Sequence, residues 1–219
     1  MVFKGFKIII LFLFGIISFK IDAQIIQGKL SVKEIDFQEN ETLLMGNFFF
    51  HPQEEVIIYD ILFPEKVSIF FYKNKLLVFE NDSLVFETNK FSVETSVFHN
   101  LFYKTDLKDI LKNNGFTLID ATIDKNNDDI FVFDGSEGKI KILAKYSRNN
   151  LVSVVTVKNK SIIEKVIINQ YIQLDGYRFP SEFFKLSFQN NSESKQWVTI
   201  SDYKQILKSE RLDLLYKLL

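Results

Sequence analysis

Phe48, Phe49 and Phe50 stand side by side within one apolar run. In an extended chain, neighbouring side chains point to opposite faces of a sheet. Three consecutive large aromatics therefore load both faces at once. Ile57, Ile58 and Tyr59 do the same, as do Ile69, Phe70, Phe71 and Tyr72. A sheet with one wet face would alternate apolar with polar residues. Here both faces are covered, or one of them lines an apolar cavity.

The runs are short, rich in Val, Ile, Phe and Tyr, and separated by Asn, Asp, Lys and Gly. That pattern predicts antiparallel hairpins. Strands are expected near Lys29–Phe37, Leu43–Phe50, Glu55–Phe63, Val67–Tyr72, Lys75–Glu80 and Ser83–Thr88. The pattern then shifts to helical spacing at Val97–Tyr103 and at Leu107, Ile110 and Leu111, with Gly115 placed to end the helix. Strands resume at Phe116–Ile123, Asp129–Phe133, Lys139–Tyr146, Leu151–Lys158, Ile162–Gln170 and Phe183–Phe188, with Gln196–Ile200 as one more candidate. Turns are expected at Asn81-Asp82, Asn126-Asn127-Asp128, Asp134-Gly135, Asn149-Asn150 and Asn159-Lys160. Residues 201–219 carry an apolar stripe at helical spacing and read as a C-terminal helical extension. About ten antiparallel strands with little helix make a barrel, a sandwich or a strongly curved sheet.

At the amino end, Lys4 and Lys7 precede an apolar run from Ile8 to Phe19, and Ala23 offers a small residue before Gln24. This order predicts a secretory signal peptide over residues 1–23, cut near Ala23. An uncleaved anchor is the alternative, but an apolar run of about 12 residues is short for a hydrocarbon core roughly 30 Å thick. Residues 24–219 then form a single exported domain. The chain has no cysteine, which excludes disulfides, thiol chemistry and a lipid-modified N-terminal cysteine. Its net charge is −1, and the leader carries three lysines and one aspartate, so the remainder lies near −3. Nothing in that balance attracts nucleic acid.

The two histidines, His51 and His99, are too few for a multi-histidine metal site, and neither has a nucleophile-elbow context. Asp124, Asp128, Asp129 and Asp134 cluster, but the glycine offset of a calcium loop is missing and a solvated turn is expected. No phosphate-cradling loop is present. The chain is read as a non-enzyme with no cofactor and no metal.

The stretch Gly46-Asn47-Phe48-Phe49-Phe50-His51-Pro52, followed by Tyr59, Pro64, Lys75, Leu77 and Phe79, resembles periplasmic outer-membrane lipoprotein carrier proteins (LolA-like). The family pattern is Gly-x-aromatic, a basic residue before Pro, an aromatic five residues before a second Pro, then a Leu-x-aromatic strand. The resemblance covers roughly Gly46 to Phe188. It implies a mainly β fold: a strongly curved antiparallel sheet forming a half-open β-barrel, with short helices covering the concave face. It also implies a hydrophobic cavity that shelters the acyl chains of a lipoprotein on its way to the outer membrane. On that pattern Phe48, Phe50, Ile57, Tyr59, Ile61 and Phe79 are candidate ligand-binding residues, and His51 is a candidate lid contact. The implied partners are lipoprotein acyl chains or another lipid and an inner-membrane loading complex, with no nucleic acid; a periplasmic monomer is expected. The family opens with a helix, where this chain reads as a strand. An envelope structural or interaction module, its cavity filled by its own side chains, is the alternative. A membrane-spanning barrel fits poorly, since its strands should run to about 9–11 residues with clean alternation.

Overall fold

The computed structural model of the protein describes residues 25–72, 75–89, 107–113, 115–135, 139–174, 177–190, 192–207 and 210–216. The expected signal peptide, the helical spacing at Val97–Tyr103, and His99 lie outside the described residues.

The described residues form one antiparallel sheet of 13 strands. The first six are β1 (Ile25–Ile35), β2 (Glu41–His51), β3 (Val56–Phe63), β4 (Val67–Tyr72), β5 (Lys75–Glu80) and β6 (Ser83–Thr88). A short helix, α1 (Leu107–Asn113), precedes β7 (Thr117–Ile123), β8 (Asp129–Asp134), β9 (Ile140–Ser147), β10 (Asn150–Lys158), β11 (Ser161–Leu174), β12 (Tyr177–Gln189) and β13 (Ser192–Ile206). Helix α2 (Glu210–Tyr216) closes the described chain. The order is β6-β5-β4-β3-β2-β1-β13-β12-β11-β10-β9-β8-β7. Two meanders, each built by hairpins, are thus zipped together by β1 and β13. Among the described residues, strands β6 and β7, consecutive in sequence order, are the two unpaired edges, so the sheet of described strands does not close.

The hairpins follow from turn chemistry. Asn81-Asp82, Arg148-Asn149 and Asn159-Lys160 each hold two residues at positive φ, as type I′ turns require. The turn expected at Asn149-Asn150 lies one residue earlier, because Asn150 already pairs with Ser147. At Asn126-Asn127-Asp128, the Asp124 Oδ1 accepts the amides of Asn126 (2.7 Å) and Asp128 (3.1 Å). The Lys145 ammonium neutralises this acidic turn, 2.7 Å from Asp124 and 2.9 Å from Asp128. Gly46 permits a close backbone approach: a Cβ there would lie 2.0 Å from the carbonyl oxygen of Asp60. The register shift beside it confirms a local bulge against β3.

Helix α1 ends in a Schellman motif. The Phe116 amide donates to Leu111 O (3.0 Å), the Gly115 amide donates to Lys112 O (3.1 Å), and Gly115 sits at φ 82°. The helix expected across 201–219 is corrected in part. Residues Ser201–Ile206 extend β13, because each still finds a β1 partner or lies in a bulge beside one. Helix begins at Glu210.

Each face of the sheet carries its own apolar cluster. One contains Ile26, Leu30, Phe48, Phe50 and Ile57 together with Phe133, Ile142, Val154, Val166, Phe179 and Phe183. It draws on strands from both meanders and takes in Leu107 and Leu111 of α1. A sheet can gather so many strands into one cluster only by curling around it, so this is the concave face. The opposite cluster joins Ile25, Phe49, Val56, Ile58, Phe70, Leu77 and Phe79 to Leu212 of α2. The expected architecture is therefore what forms: a strongly curved, half-open antiparallel sheet with a short helix on its concave side.

Candidate functional site

The concave layer is built from alternate residues of β2 and β3. Phe48 and Phe50 face inward on β2, and Ile57, Tyr59 and Ile61 share that face on β3. Phe48, Phe50 and Ile57 are 0 % exposed. Tyr59 is half-buried and bridges two rings, lying 5.7 Å from Phe48 and 5.9 Å from Phe71 between centroids. The ring of Phe50 reaches Phe179 on β12 at 6.2 Å, and Phe179 reaches Tyr203 on β13 at 5.0 Å. Strands β2 and β12 are three positions apart in the sheet, roughly 14 Å if it were flat at about 4.8 Å per strand. Ring contact across that span requires the sheet to bend inward. On the other meander, Phe131 and Tyr146 stand 5.6 Å apart, and the Lys108 ammonium of α1 sits 3.8 Å from the centre of the Phe131 ring. This cation–π contact helps seat α1 over the layer.

The two free edges carry apolar residues at the rim of this face. Ladder partners place Phe86 on the concave side of β6, and Leu118 and Ile123 on the concave side of β7. Phe86 is 50 % exposed, Leu118 49 % and Ile123 66 %. Apolar side chains left in water at the lips of an apolar face suit a guest that must pass between them.

Phe79, another candidate, does not join this group. With Leu77 and Phe70 it packs in the convex cluster, its ring 5.0 Å from Phe70. His51 also stands on the face away from α1, since it pairs with Val56 of the convex cluster. It is 4 % exposed, and its Nδ1 accepts the Glu54 amide at 3.2 Å, which organises the β2–β3 turn. Burial pushes its pKa below the ordinary 6.5, against a smaller upward pull from Glu54, so the ring is neutral at neutral pH.

The convex side has its own polar cleft of about 380 Å³ under α2, lined by residues that include Asn47, Asp60, Lys66, Asp82 and Arg211. Four of its charged residues, Asp60, Lys66, Asp82 and Arg211, pair with one another. Arg211 Nε lies 2.8 Å from Asp60 Oδ1, and a second guanidinium nitrogen bonds Asp82. Ser68 Oγ donates to Asp60 (2.8 Å), and Lys66 Nζ lies 2.7 Å from Asp82. The Lys66 bond and then the Arg211 bond hold the Asp82 carboxyl below the ordinary carboxylate range. This network fastens α2 to the sheet.

Several concave residues escaped the sequence pattern. Phe179 lies on a strand that begins several residues before the expected Phe183–Phe188. Tyr203 carried a helical signal and turned out to be a strand residue facing the layer. Ser181, a buried residue midway between Phe179 and Phe183 in sequence, has no sequence signature at all.

Among proteins of known structure, the chain superposes on a LolA superfamily protein from Nitrosomonas europaea with TM-score 0.57 at 13% identity, covering 87% of this chain and 90% of that one. A domain from Vibrio parahaemolyticus, described as an outer membrane lipoprotein-sorting protein, gives TM-score 0.57 at 10% identity, covering 91% and 92%. A DUF1329 family protein from Desulfovibrio piger gives 0.53 at 10% identity, covering 84% and 86%. No protein-family model and no curated protein sequence matches the chain. The likeness establishes the fold, which is LolA-like along nearly its whole length.

Proposed function

We propose that this LolA-like chain is a non-catalytic carrier or binding protein for lipoprotein acyl chains or other lipids in the periplasm, working after removal of residues 1–23. The observation that carries this reading is the pairing of an aromatic concave layer with exposed apolar lips at both open edges. Each methylene moved out of water is worth about 0.8 kcal/mol, so a long acyl chain gains strongly from such a face. Phe48, Phe50, Ile57, Tyr59 and Ile61 would touch the guest. Phe79 would support them from the other side of the sheet, and His51 would shape the hairpin that carries them. An inner-membrane complex would load the carrier.

Solvent extraction of protein purified from its native envelope, followed by mass spectrometry, tests this. Bound lipid or lipoprotein is expected, and a fluorescent acyl probe should bind the emptied protein. Absence of both would sink the carrier reading. A second reading, an envelope interaction module with a self-filled hollow, draws on the complete burial of Phe48, Phe50 and Ile57. It predicts that no acyl probe binds.

A further inference from the structure

Two buried hydroxyl groups, on β12 and β13, lack a hydrogen-bond partner among the described residues. Ser181 is 4 % exposed, and its Oγ finds no hydrogen-bond partner among the described residues. The Tyr203 hydroxyl is also buried and also lacks one among them. A buried hydroxyl left unsatisfied carries the desolvation penalty of its polar group with no bond to offset it. Two on one face invite an explanation from what that face does.

Their surroundings are specific. Ser181 lies between Phe179 and Phe183, both core members of the layer. It is also the extra residue where the β11–β12 register passes from Gln170↔Glu182 to Tyr171↔Pro180. Bulges of this kind re-aim a side chain and are frequent beside functional sites. Tyr203 stacks at 5.0 Å on the same Phe179. Its ring has room because β1 offers Gly28 there: a Cβ at that position would stand 3.3 Å from Tyr203 Cδ1 and 2.8 Å from Ile200 Cγ2. Both residues are thus tied to Phe179 of the layer assigned to the guest, Ser181 by standing two residues along β12 and Tyr203 by ring contact.

We propose that Ser181 and Tyr203 donate hydrogen bonds to the carbonyl oxygens of an acylated guest, so that the concave face selects ester- or amide-linked chains over plain hydrocarbon or ether chains. This rests on the carrier reading and names the chemistry it would recognise. An uncharged carbonyl is the acceptor that suits the site. It accepts from a hydroxyl and enters an apolar environment at modest cost, whereas a carboxylate would have to be buried with its charge. Satisfying a buried donor that otherwise stays unpaired discriminates strongly against a ligand lacking the acceptor.

The test compares two probes of equal chain length, monopalmitoylglycerol and its hexadecyl glycerol ether, which lacks the carbonyl. Affinities are read by displacement of a fluorescent acyl probe from the full mature chain. The wild type should bind the ester about tenfold more tightly than the ether. In Ser181→Ala/Tyr203→Phe that ratio should fall to about one. Both substitutions preserve shape and remove an unpaired group, so the thermal midpoint of the empty variant should hold or rise. A ratio near one in the wild type, or an unchanged ratio in the variant, would overturn the proposal while leaving the carrier reading intact. If neither probe binds the wild type, the carrier reading falls and takes the proposal with it.

Discussion

His51 shows how one residue can carry a pH dependence without any role in chemistry. Its folded-state pKa is depressed by burial, and its Nδ1 serves as acceptor for the Glu54 amide. The unfolded chain, with the ordinary value near 6.5, takes up a proton first as pH falls. Stability from this residue is therefore full above about pH 6.5 and declines below it, until the pH passes the folded-state value. Chemical denaturation at pH 7.5 and 5.5 should show a loss that His51→Gln removes. An undiminished loss in the variant would assign the effect to other groups. Sequence suggested a basic residue beside a proline at this position. Which face it joins depends on parity along β2, and parity set by burial placed it away from α1.

Helix α2 has seven described residues, too few to hold together in water without tertiary contacts. Leu212 supplies the apolar contact and Arg211 the polar one. Asp60 is the critical partner because its side chain is buried and it cannot turn to water. Arg211→Ala leaves that carboxylate without its guanidinium and should cost about 3 kcal/mol, the scale for removing one partner of a buried pair. Arg211→Ala combined with Asp60→Asn should recover part of the loss. Urea titration of the three variants checks this, and equal losses in single and double variants would contradict it. The edges pose a different problem for their elements. Strands β6 and β7 each carry one bulge, at Val78/Phe79 against β6 and at Leu118/Asp120 on β7. Bulges twist an edge away from unwanted pairing, which lets the exposed rim residues remain apolar.

At the scale of the whole molecule, the sheet is closed in sequence rather than in space. The first and last strands pair at its centre, from Ile25↔Ile206 to Ile35↔Lys195. This contact spans nearly the full chain, so folding should be slow, in the millisecond-to-second range typical of non-local β topologies. Truncation after Gln189 removes β13 and leaves two meanders with no seam. Such a chain should lose cooperative unfolding by circular dichroism. A single sharp transition in the truncated protein would show that one meander folds alone.

Hairpins, turn residues and the surplus of apolar residues on both faces are local properties, written in spacing and in residue type. For that reason β2 to β10 fall within two residues of the strands that spacing predicts, and the Gly-aromatic stretch at Gly46–Phe50 already points to the layer that forms. Long-range pairing is not local. The seam between β1 and β13 kept Ser201–Ile206 extended although their spacing suits a helix, because ladder hydrogen bonds and burial outweigh a weak propensity. The division of Phe48 from Phe79 and the turning of His51 to the convex side follow from strand parity carried through the ladders, whereas the meeting of Phe50 with Phe179 and of Phe179 with Tyr203 depends on curvature. No window of residues encodes that curvature, since it comes into being only when distant strands close around a common core.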